Sequence, residues 1–116
     1  MHRINEYRFG KILIDDHYYD SDVIIFPDKI KDHWWRNEGH NLLPPDLPFL
    51  QSSKAGILVI GQGFYGRMQI SDGVKKIAAE QKWEVKSGKT SRAVQIYNEL
   101  IDHNEKNVVA ALHLTC

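Results

Sequence analysis

Apolar positions are spread unevenly along this chain, and their spacing changes character near its middle. Tyr7 to Ile14 is rich in aromatic and β-branched residues and stops at Asp15-Asp16, a turn-prone pair; Tyr18 to Phe26 then resumes the same composition. The two stretches predict an N-terminal β-hairpin, closed by Pro27-Asp28 because proline cannot continue a central ladder. From Lys29 to Ser53 no period persists, and Asn37, Gly39, Pro44, Pro45 and Pro48 interrupt repeatedly. That segment is expected to be a long excursion with one short helical turn, covering something or making a contact.

The second half is more regular. Ile57-Leu58-Val59-Ile60 is apolar without alternation, as a strand covered on both faces requires, and a glycine-rich loop from Gly61 to Gly66 follows it. Ser71 can cap a helix from about Asp72 to Gln81, since Val74, Ile77 and Ala78 recur at helical spacing behind it. Trp83-Glu84-Val85 reads as a short strand ended by Ser87-Gly88. Thr90 or Ser91 can cap a second helix, with Val94, Tyr97 and Ile101 on one face and an end near His103-Asn104. Val108 to Leu114 is the last apolar strand. Helices alternating with buried strands define an α/β class: an N-terminal hairpin followed by a βαβαβ half.

Length adds that all of this fits one domain spanning residues 1–116, large enough to bury roughly two thirds of its unfolded surface. Fifteen basic and fifteen acidic residues cancel. No net field therefore draws the chain to nucleic acid or to an anionic membrane, and neither is expected as a partner. Cys116 is the only cysteine, and no apolar run has the length of a membrane span or the form of a signal peptide, so the expected location is cytoplasmic.

Candidate chemistry changes this picture little. Gly61, Gly63 and Gly66 match G-x-G-x-x-G after a strand, but Arg67-Met68-Gln69-Ile70 separates them from the helix cap and no acidic residue follows a second strand in the required setting. A strained turn is the expectation, and an anion held by the loop amides of Gly61, Gln62 and Gly63 the alternative. Gly88-Lys89-Thr90 lacks the upstream glycine of a P-loop, because Trp83 stands there. The six histidines lack paired metal-ligand spacing, so neither metal nor cofactor is expected. His113 and Cys116 could form a thiol–imidazole site only if the chain turns after Leu114, because positions three apart on a strand face opposite ways. Trp34 and Trp35, with Arg36 and His40, are candidates either for covering the sheet or for anchoring a protein interface.

Several stretches together resemble one family: Ser21-Asp22-Val23-Ile24-Ile25-Phe26-Pro27, Trp34-Trp35-Arg36-Asn37-Glu38-Gly39-His40, Leu58-Val59-Ile60-Gly61-Gln62-Gly63, Tyr97-Asn98 and Ala111-Leu112-His113-Leu114-Thr115-Cys116. The chain is similar over nearly its whole length to the small Mth-type domains of unknown function, grouped with adipogenesis-associated Mth-domain proteins and related to a mitochondrial complex I assembly factor. The resemblance implies a three-layer α/β fold around a central mixed sheet and no established activity. Family members often carry a Thr-Gly type sequence at the Gly61 loop and an uninterrupted helix where Pro45 and Pro48 stand here.

Two functions follow as expectations. The first is a non-catalytic interaction or assembly module, with a protein partner or a second copy of the chain, and no catalytic residue. The alternative is a site for a small molecule or anion, with or without catalysis. It would form if the last strand runs parallel to its neighbours, so that Gly61, Gln62, Gly63, His113 and Cys116 share the edge where open α/β sheets bind ligands. An antiparallel last strand would move His113 and Cys116 to the far edge.

Overall fold

The computed structural model describes residues 2–52 and 55–116, so Ser53, the expected end of the middle excursion, lies outside the described residues. The first expected strand divides in two. β1 (Ile4–Arg8) and β2 (Lys11–Ile14) flank a tight turn in which Gly10 adopts φ 75°, a left-handed conformation glycine takes without penalty. β2 then pairs antiparallel with β3 (His17–Tyr19) across Asp15 and Asp16, whose φ values of 49° and 66° are the two positive angles of a type I′ hairpin.

The second expected strand divides as well. Val23, Ile24 and Ile25 are all buried, which a small sheet exposed on one side could not accommodate; as β4 (Val23–Ile25) they join a different, central sheet. The middle segment holds more structure than its irregular pattern predicts: β5 (Ile30–Lys31), β6 (Asn41–Leu42), a 3₁₀ turn at Pro44–Asp46 and the short helix α1 (Phe49–Ser52). Its order comes from distant partners. β6 pairs in parallel with β8 (Gln69–Ile70), a contact that no local period could announce.

Beyond that segment the expected elements appear as β7 (Ile57–Gln62), α2 (Asp72–Glu80), β9 (Glu84–Gly88), α3 (Thr90–Asp102) and β10 (Val108–His113). Ser71 caps α2 by accepting a hydrogen bond from the Val74 amide at 3.3 Å. At α3 the expectation fails: Lys89 occupies the cap position without a side-chain hydrogen bond, because the Thr90 hydroxyl turns inward instead.

The central sheet is mixed and runs in the order β5-β4-β10-β7-β9. β10 lies parallel to β7, and β7 to β9, while β4 pairs antiparallel with β10 and with β5. Alternation along each central strand divides the core into two. Ile24, Leu58, Ile60, Val109 and Ala111 face α1, α2, Leu42, Met68 and Trp83. Val23, Ile25, Val59, Ala110 and Leu112 face α3 and the β1–β3 sheet through Ala93, Tyr97, Ile4, Ile12 and Ile14. These are the three layers of the fold, and no helix among the described residues is long and apolar enough to cross a membrane.

Candidate functional site

Because β10 runs parallel to β7, its carboxyl end emerges beside Gln62 and the loop that follows. On its other side β10 opposes β4, with Leu112 against Val23; one step further along that register brings His113 to Asp22. Asp22 Oδ2 accepts from His113 Nδ1 at 2.8 Å and faces Arg36 Nη1 at 2.9 Å, while Oδ1 accepts from the Leu114 amide at 2.7 Å. The three side chains are nearly sealed from solvent, with 15% of Asp22, 5% of Arg36 and 7% of His113 exposed.

Burial pushes the Asp22 carboxyl up, but the hydrogen bonds from His113 and Leu114, together with the Arg36 guanidinium, outweigh it and hold the group below its ordinary value. An ionised Asp22 can only accept, so the shared proton sits on Nδ1 of His113. Arg36 Nη2 lies 3.0 Å from that same nitrogen, and with Nδ1 acting as donor the guanidinium is held by the carboxylate rather than by the ring. Arg36 Nε and Nη1 and His113 Nε2 are buried without a hydrogen-bond partner among the described residues; Nη1 sits at ion-pair distance from Asp22 but off the line of a hydrogen bond.

Local sequence explains how Arg36 arrives there. The Trp34 amide donates to the Asp22 carbonyl at 3.0 Å and the His33 amide to Ser21 Oγ at 2.8 Å, which ties the 33–36 segment to the entry of β4. His33 holds φ 50°, an unfavourable angle for a residue with a Cβ, maintained by those ties. The Trp34 indole is buried, donates from Nε1 to the Asp46 carbonyl at 3.0 Å, and lies 4.8 Å beneath the Arg36 guanidinium. Asp46 is fixed in turn by accepting from the Leu43 amide at 2.8 Å. Above the cluster opens a cleft of about 560 Å³ whose walls include His33, Trp35, Arg36, Gly39, His113 and Thr115.

The glycine loop is tied into the fold by its own hydrogen bonds. Gly63 donates its amide to Thr90 Oγ1 at 3.0 Å, Phe64 donates to the Thr115 carbonyl at 2.9 Å, and Gly66 to the Gly63 carbonyl at 3.1 Å. Gln62 spends its side-chain amide on the Met68 carbonyl at 2.8 Å. Gly61 is small because a Cβ there would lie 2.7 Å from Thr90 Oγ1. The amides of Gly63, Phe64 and Gly66 are thus committed inside the fold.

The other sequence candidates separate. Of the two tryptophans, offered either as sheet cover or as interface anchor, Trp34 lies in the core at 3% exposed and Trp35 is 81% exposed; His40 is exposed. Arg36 belongs to the buried cluster. His113 reaches the expected sheet edge, but its partner is Asp22 and not Cys116, which lies exposed at the end of the tail. Asp22 was missed as a site residue. Apart from its place in the Ser21–Pro27 stretch that carries the family resemblance, its sequence signal is an aspartate placed directly before three apolar strand residues, and a turn explains that equally well.

Fold and site together define a class: a small three-layer α/β domain with a buried Asp–Arg–His cluster at the carboxyl edge of a mixed sheet. Residues 4–113 match the model of the family described as "Protein of unknown function (DUF498/DUF598)", and the chain belongs to that family. Among solved structures it is similar to a conserved hypothetical protein from Pyrococcus horikoshii OT3, with 28% identity, a TM-score of 0.80, and 98% of this chain and 99% of that one covered. It is also similar to the protein titled MT938, at 22% identity and TM-score 0.78 with both chains covered in full. A Mth938-like domain from Bordetella pertussis matches at 17% identity and TM-score 0.66, covering 97% of this chain and 85% of that one. The domain thus shares its fold with a Mth938-like domain. Among curated proteins, none matches the chain.

Proposed function

We propose that the domain is a non-catalytic binding module and that the cleft over Asp22, Arg36 and His113 receives a small anionic group, a carboxylate or a phosphate. One observation carries this reading: a guanidinium 95% removed from solvent, ion-paired through Nη1 with Asp22, keeps Nε without a hydrogen-bond partner beside an imidazole whose Nε2 is equally unpartnered. Leaving buried polar groups unsatisfied costs about 1–3 kcal/mol each, more for a charged group, and an acceptor oxygen entering the cleft would recover part of that. Asp22 neutralises one positive charge, which favours a small anion over a polyanion. The lone cysteine is consistent with a reducing, cytoplasmic setting. The 81% exposure of Trp35 at the rim favours a second reading, in which the same edge also meets a protein.

The test is thermal unfolding in inorganic phosphate and in small mono- and dicarboxylates. A ligand at a hundred times its dissociation constant adds about 2.7 kcal/mol, enough to raise the transition by several degrees. The expected result is a saturable rise for at least one anion in the wild type, lost in Arg36→Met and in the milder His113→Asn. No rise with any anion, or an equal rise in both folded variants, would sink the proposal.

A further inference from the structure

A second surface stands apart from the cleft on the same side of the domain. Phe9, Phe64 and Tyr65 are 49%, 41% and 53% exposed, yet they pack on one another edge to face, with ring centroids 5.4 Å apart for Phe9 and Phe64 and 5.1 Å for Phe64 and Tyr65. Phe9 comes from the β1–β2 turn and the other two from the loop after β7. Both turns are clamped to the same tail: the Gly10 amide donates to the Leu114 carbonyl at 3.0 Å and the Phe64 amide to the Thr115 carbonyl at 2.9 Å. The cluster is therefore fixed in place before anything binds it, which removes much of the ordering cost of association.

Its rim is cationic. The Arg67 guanidinium lies 5.0 Å over the Tyr65 ring, and Lys89 packs its stem beside Gly66. Among the described residues, neither of these two cations has a carboxylate within 4 Å. Exposed aromatic side chains held rigidly and flanked by positive charge without a carboxylate partner are the composition of an interface anchor.

We propose that this patch docks a short acidic segment of another protein, with an apolar side chain of the partner set against Phe9, Phe64 and Tyr65 and its carboxylates on Arg67 and Lys89. Charge complementarity selects that occupant. A chain of zero formal charge exerts no long-range pull on a polyanion, so the local positive rim suits a segment rather than a nucleic acid or an anionic bilayer. Base stacking also needs bare ring faces. Here Arg67 covers one face of Tyr65.

The experiment uses the whole chain as bait for a displayed library of short random peptides, followed by fluorescence titration of the selected sequences. Selected peptides are expected to carry Asp or Glu beside a single large apolar residue. They should weaken at least about tenfold in Tyr65→Ala and in Arg67→Glu, and in Lys89→Glu should one of those fail to fold. Binding should survive Arg36→Met, and the anion response of the cleft should survive Arg67→Glu, so failure of either proposal is distinguishable from failure of the other. Selection without acidic enrichment would overturn the inference. So would tighter binding of single-stranded oligonucleotides or phosphatidylserine vesicles, with the same sensitivity to Arg67→Glu.

Discussion

The Thr90 hydroxyl donates to the carbonyl of His113 at 2.5 Å and accepts the Gly63 amide at 3.0 Å, so the first residue of α3 joins the ends of two neighbouring parallel strands. Thr90 is fully buried, and the bridge holds the backbone of the candidate site in one arrangement.

Replacing it tests that role. Thr90→Val keeps the shape but orphans a buried donor and a buried acceptor, an expected loss of about 2–4 kcal/mol; Thr90→Ser keeps the bridge and should lose only about 1 kcal/mol for the methyl. Urea midpoints at constant m-value measure both. Equal midpoints for the two variants would remove the bridge from the account.

Acid should act through Asp22. Its folded pKa lies below the unfolded value of about 3.9, so its contribution to stability is fully present above that pH and disappears as pH falls through the folded value. Asp22→Asn is expected to be about 3 kcal/mol less stable near neutrality, because Arg36 is left buried without its counter-charge. Its decline on acidification should be shallower, so that the two curves approach one another below about pH 4. Asp15, also held low, titrates in both proteins and leaves the comparison intact. Parallel curves would contradict the assignment.

Two glycines make a matched pair. A Cβ at Gly63, where φ is 97°, would stand 2.8 Å from the Thr115 carbonyl oxygen and 2.9 Å from His113 Cδ2, whereas at Gly39 it would meet nothing within 4 Å. Gly63→Ala should lower stability by about 1–3 kcal/mol and shift the NMR signals of the tail. Gly39→Ala should stay within about 0.5 kcal/mol. An unperturbed Gly63→Ala protein would show that the loop yields.

The adjacent tryptophans should differ sharply. Trp34→Ala removes a buried ring and strands the Asp46 carbonyl, at an expected cost of about 3–5 kcal/mol. Trp35→Ala removes an exposed ring and should change stability by no more than about 0.5 kcal/mol. Similar calorimetric transitions for the two would refute their assignment to core and rim.

Much of the second half was legible because its signals are local. Ile57 to Ile60 needs only its own run to declare a doubly covered strand, and Ser71 caps α2 with the amide three residues on. The N-terminal half was legible in composition but not in its breaks. Whether Gly10 turns, and whether Val23 leaves the small sheet, depends on the Leu114 carbonyl and on β10, about a hundred residues downstream. Thr90 shows the same limit at one residue: propensity makes it a cap, while the proximity of Gly63 and His113 makes it a bridge.

By itself the sequence determined the alternation of strands and helices, the doubly buried character of the central strands and the absence of any internal disulfide, since each follows from side-chain pattern over a few neighbouring positions or from a count. Only the tertiary structure decided that Asp22, Arg36 and His113 meet, that Trp34 turns inward while Trp35 does not, and that three aromatic side chains from two turns share one surface. The reason is physical: hydrogen bonds and ion pairs act over about 3 Å in space. The distance along the chain between such partners carries no trace of them until the sheet has aligned its strands.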